Sequence, residues 1–127
     1  MKKVAILLCL VLCMAASAGA APSAPDNVRY RLFPTQNMWT FLKLDTMTGK
    51  IWQVQYSVEG AKYRFETVLN SVDLARRLKQ ERVVGRFMLY ATQNTYNFVL
   101  LDQIDGYTYQ VQWNGDADQR FVIPISD

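Results

Sequence analysis

Trp52-Gln53-Val54-Gln55-Tyr56 and Tyr109-Gln110-Val111-Gln112-Trp113 both alternate apolar and polar residues, and they stand 57 positions apart. Alternation with period two places successive side chains on opposite faces of a strand. Aromatic and β-branched residues suit such a pleated, half-buried surface. The pattern therefore predicts strands with rings and valines on a buried face. Gln53, Gln55, Gln110 and Gln112 fall on the opposite, solvated face.

Working outward, the likeness extends well beyond these strands. Arg29-Tyr30-Arg31-Leu32-Phe33-Pro34-Thr35-Gln36-Asn37 returns as Arg86-Phe87-Met88-Leu89-Tyr90-Ala91-Thr92-Gln93-Asn94. Between residues 29–56 and 86–113, 12 of 28 positions are identical and five more exchange one aromatic for another. A repeat of this size marks two supersecondary units that stack because neither buries its apolar face alone.

Each unit reads as a meander. Asp45-Thr46-Met47-Thr48-Gly49-Lys50 and Asp102-Gln103-Ile104-Asp105-Gly106-Tyr107 carry an Asp that accepts from turn N–H groups and a Gly that supplies positive φ. Thr35-Gln36-Asn37 and Thr92-Gln93-Asn94 mark the preceding turn. A fourth strand is expected at 63–69 and again at 120–125. Pro124 cannot donate to a ladder, which places the last strand at an edge. Between the units, Asn70 or Ser71 is a candidate cap for a helix over 71–83 that covers an open end of the sheets. Arg76, Arg77, Lys79 and Arg82 line its solvent side, and Gly85 ends it.

The amino terminus has a different character. Lys2 and Lys3 precede an apolar run from Val4 to Ala16, and Ala18-Gly19-Ala20 offers small residues for cleavage. This is the pattern of a secretory signal over 1–20, too short to span a bilayer. Leu8 and Leu12 precede Cys9 and Cys13, where a lipoprotein signal needs a small residue. Residues 21–28, with Pro22 and Pro25, are expected to be a disordered leader. The Met-Lys-Lys start has a bacterial look. The mature chain is thus expected to be periplasmic or extracellular, without a membrane span.

That mature chain has 107 residues, a net charge of +1 and no Cys, and the whole sequence has no His. Without these residues there is no Ser-His or Cys-His nucleophile and none of the usual zinc sites, so no catalytic residue and no metal ligand is expected. The near-neutral balance argues against nucleic acid as a partner, and the basic helix reads as a charged solvent face. Asp45 and Asp102 resemble the carboxylate pair of glycoside hydrolysis, yet both occupy the turn position that needs an Asp in any case.

All 16 aromatic residues lie in the mature chain. Tyr30, Leu32, Trp52, Val54 and Tyr56 are the expected core of the first unit, and Phe87, Leu89, Tyr109, Val111 and Trp113 that of the second. Phe33, Trp39, Phe41, Tyr90, Tyr96 and Phe98 fall on the other parity, where exposed rings would form a platform for sugars or a partner's apolar groups.

Leu44-Asp45-Thr46-Met47-Thr48-Gly49-Lys50-Ile51-Trp52 resembles the Asp-x-x-Thr-Gly-Lys…Trp stretch in blades of pyrroloquinoline-quinone-type β-propellers. The likeness covers about ten residues, and two blades do not close a ring that takes about four to eight. It is read as shared hairpin chemistry, and no cofactor is carried over.

The expected protein is all-β: repeats 29–69 and 86–125 form two four-stranded antiparallel meanders in a sandwich or barrel, within a single domain over 29–127. The expected function is an exported, non-enzymatic binding module for a glycan or protein segment. Its candidate contacts are Gln36, Asn37, Trp39, Gln93, Asn94 and Tyr96. A protein inhibitor or envelope assembly subunit is the second expectation, and a hydrolase using Asp45 and Asp102 the third.

Overall fold

The structure, a computed structural model, describes residues 27–77 and 82–125. The expected signal segment and most of the expected leader lie outside the described residues, as do positions 78–81 of the expected helix.

The chain forms two four-stranded antiparallel sheets that do not close into a barrel. The first contains β1 (Tyr30–Pro34), β2 (Thr40–Asp45), β3 (Ile51–Gln55) and β4 (Phe65–Asn70). The second contains β5 (Phe87–Ala91), β6 (Asn97–Asp102), β7 (Thr108–Gln112) and β8 (Phe121–Pro124). Every strand pairs with its sequence neighbour, and the registers correspond from unit to unit: Tyr30 faces Asp45 as Phe87 faces Asp102. The duplication is therefore physical, and Pro124 lies in an edge strand as its missing N–H requires.

The turns recur atom for atom. Asn37 Oδ1 accepts from Trp39 N, and Asn94 Oδ1 from Tyr96 N. Asp45 Oδ1 accepts from Met47 N, and Asp102 Oδ1 from Ile104 N. Gly49 and Gly106 hold φ of +78° and +79°, the left-handed region in which a Cβ is costly.

Residues directly opposite on neighbouring strands share a face, so the ladders define two sides of each sheet. The rung Phe33, Leu42, Gln53, Thr67 runs across the front of the first sheet. The rung Leu32, Lys43, Trp52, Val68 runs across its back. In the second sheet, Tyr90, Val99, Gln110 and Ile123 make the front, and Leu89, Leu100, Tyr109 and Pro124 the back.

The core joins unlike sides. Leu42, Leu44 and Ile51 from the first front cluster with Phe87, Leu89, Phe98, Leu100, Tyr109, Val111 and Trp113 from the second sheet, almost all on its back. Fully burying one such side chain contributes about 1.5–3 kcal/mol. Backbone bonds stitch the seam, with Phe87 N donating to Thr46 O at 2.9 Å. The two sheets stack front to back, like spoons.

This stacking corrects the expected burial in the first unit. Tyr109, Val111 and Trp113 are buried as expected, but in the first sheet Ile51 and Gln53 point inward. Trp52 and Val54 are half-buried, while Tyr30, Leu32 and Tyr56 are exposed. Both sides of the first sheet are rich in apolar residues, and its place in the stack selects the front.

The helix also begins later than expected. α1 spans Leu74–Arg77, and its cap is Asp73, whose Oδ1 accepts from Arg76 N at 3.0 Å. Asn70 instead bonds Gly49 O and the Val72 backbone, shaping the approach to the helix. Leu74 covers Gly49 at the hairpin end of the stack.

Candidate functional site

All turns of the Thr-Gln-Asn type lie at one end of the stack, because equivalent hairpins of parallel-stacked units point the same way. At this end Gln36 Oε1 accepts from Thr95 Oγ1 at 2.8 Å, tying the first turn to the second. A cleft of about 500 Å³ opens beside this bond, with Gln36, Asn37, Gln55, Tyr96, Trp113 and Asn114 among its walls. A smaller hollow of about 210 Å³ lies beside it, walled by Trp39, Tyr56, Tyr63 and Glu59. Asn37 and Gln55 line both, so the two hollows share a wall.

The rings are braced from behind. Trp39 packs on Tyr56 with centroids 5.1 Å apart, and Tyr96 packs on Trp113 at 5.0 Å, both tilted. Trp113 Nε1 donates to Thr95 O, which fixes the indole. The ring geometry repeats with the sequence, and Tyr96 keeps an exposed face. The turns use Oδ1 of Asn37 and Asn94 as a backbone acceptor.

All six sequence-derived candidates thus lie at one end, and the structure separates their roles. Gln36, Asn37, Trp39 and Tyr96 line the two hollows. Asn94 shapes the second turn and borders a small crevice between the turns. Gln93 is exposed and lines neither hollow.

Gln53 has a different task from the solvated one expected of it. It is only 1 % exposed. Its Nε2 donates to Asn114 O at 3.1 Å and its Oε1 accepts from Asn114 N at 3.3 Å. A side-chain amide thereby pairs with a main-chain amide across the two units, closing the floor of the cleft. A buried amide needs such partners, since an unpaired one costs about 1–3 kcal/mol. Nothing local in the sequence marks Gln53 for this role. The mid-strand Lys43, opposite Trp52, is the signal that the Trp52 side faces outward and the Gln53 side inward.

Asp45 and Asp102 are held as ion-pair partners. Arg29 Nη2 reaches Asp45 Oδ2 at 3.0 Å, and Arg86 Nη2 reaches Asp102 Oδ2 at 2.9 Å. Burial alone would push each carboxyl up, but the arginine hydrogen bond and the turn N–H groups outweigh it and hold both below the usual carboxylate range. A carboxylate locked in its charged form by an arginine is poorly suited to donate a proton. Arg86 also bonds Asp105, and Arg82 pairs with Asp73, so neither belongs to an open basic strip.

Among the described residues no group of three metal-ligating side chains occurs, and no helix is long and apolar enough to cross a membrane. Comparison with known protein families, curated proteins and solved structures finds no match.

Proposed function

We propose that the protein is a non-enzymatic binding module whose two neighbouring hollows accept an extended glycan. The observation that carries this reading is the adjacency of the two hollows across Asn37 and Gln55, with rings in each. Braced rings give sugar C–H faces a flat apolar surface, while amides supply oriented partners for hydroxyls. Trp39 and Tyr96 are the stacking anchors, and Gln36, Asn37 and Asn114 line the polar path between them. Export to the periplasm or cell exterior, where glycans are at hand, belongs to the same proposal.

The test is a glycan-array screen followed by titration calorimetry on any retained oligosaccharide. Trp39→Ala and Tyr96→Ala are each expected to weaken binding about tenfold, equivalent to about 1.4 kcal/mol. Near-UV circular dichroism checks that the variants remain folded. Array profiles unchanged in two folded variants would remove this site, and retention of a peptide instead of sugars would replace the ligand class.

A further inference from the structure

The stacking of unlike sides leaves each chain with two unmatched surfaces. The back of the second sheet is buried under the front of the first, but the back of the first sheet has nothing stacked on it among the described residues. Equivalent positions show the contrast. Phe87 is fully buried while Tyr30 is 49 % exposed, and Leu89 is buried while Leu32 is 60 % exposed. Trp52 and Val54 complete this open back, where Tyr109 and Val111 are covered in the second sheet. At the other end, the open front presents Tyr90, Val99, Leu101 and Ile123, where the first front buries Leu42 and Leu44 and half-buries Phe33 against its neighbour.

We infer that the open back of the first sheet receives the open front of the second sheet from another copy of this chain. The internal seam is the template: a front of this shape already sits on a back of this shape inside every molecule. Such an interface is heterologous, joining two different patches, so copies add head to tail and give a ring or a row according to the rotation per step. The contact is independent of the glycan reading, because the hollows lie at the turn end and these surfaces on the outer flanks.

Two substitutions set its strength. Lys43 stands where the second unit has Leu100, and Glu66 where it has Val122. The two form an ion pair, and the Lys43 ammonium lies 4.9 Å from the Trp52 ring centre. Covering this pair removes two charges from water, which opposes docking. The association is therefore reversible and concentration-dependent, in contrast to the permanent seam within the chain.

Analytical ultracentrifugation over a range of concentrations tests the inference. The wild-type mass is expected to rise with concentration. Lys43→Leu/Glu66→Val, which restores the residues of the covered back, is expected to shift that rise at least about tenfold lower. Leu32→Arg on the back and Tyr90→Arg on the front, both at exposed positions, should each stay monomeric. Mixed in equal amounts they should form a complex of two chains, since each retains the surface the other needs. A wild-type monomer up to about 1 mM, or a mixture no heavier than its components, overturns the inference.

Discussion

The ion pairs Arg29–Asp45 and Arg86–Asp102 occupy the same repeat position, yet they live in different surroundings. Arg29 is 45 % exposed at its side chain, whereas Arg86 is 2 % exposed. In the first pair only the arginine is open, with Asp45 buried beneath it, whereas in the second both partners are buried under the neighbouring sheet. Local sequence builds the pair; position in the stack decides what it costs to break. The same contrast runs through Tyr30 and Phe87, and through Gln110 and Gln53.

The largest expected difference comes from removing the arginine. Arg86→Met leaves the Asp102 carboxylate sealed under the first sheet without its counter-charge, a loss of about 3–5 kcal/mol. Arg29→Met opens Asp45 to water that can solvate it, and the melting temperature should move far less. Urea unfolding of both variants measures the gap, and equal losses would mean that stacking does not govern the pair.

Glutamines come next. Gln53→Leu strands the main-chain N–H of Asn114, whose C=O keeps its bond from Arg120 Nε, with an expected cost of about 1–3 kcal/mol. Gln110 is half-buried and donates to Asn97 Oδ1, so Gln110→Leu should change stability by about 0.5 kcal/mol or less. Reversal of that order would return the glutamines to the equal, solvated roles that alternation alone suggests.

The smallest difference concerns the hairpin glycines. Gly49→Ala and Gly106→Ala both place a Cβ at positive φ. Only at Gly49 would that Cβ meet other side chains, 2.8 Å from Leu74 Cδ1 and 3.3 Å from Phe87 Cδ1. Displacing Leu74 should make Gly49→Ala the worse variant by about 1 kcal/mol. Equal effects would show that α1 yields freely at the hairpin end.

Much of this architecture could be read from the residues because it is written locally. Hairpin Asp and Gly, the Thr-Gln-Asn turn and alternating strands each act over a few positions, and the 57-residue echo then fixes the two-unit plan. Burial of the first unit resisted the same reading. Alternation distinguishes two sides of a strand but does not say which one meets a neighbour, and β3 offers Ile51 and Gln53 on one side against Trp52 and Val54 on the other. Lys43 in the middle of β2 carried the missing clue. The helix starts later than the residues predict for a related reason: Asn70 and Ser71 are good caps by type, while the cap that the structure uses is Asp73. Of the proposed contact positions, those in or beside the turns converge because the units stack in parallel, a fact that belongs to tertiary packing.

Pairing every strand with its sequence neighbour has a consequence for how the chain assembles. Each ladder closes over a short stretch of chain, so the pairings are local for a β protein, and local topology favours rapid formation. Only the joining of the two halves brings distant residues together. As the chain emerges from its amino-terminal end, the first sheet is complete in sequence before the second. Until the second follows, Leu42, Leu44 and Ile51 face solvent, and that interval is when the nascent chain is most open to sticking to its neighbours.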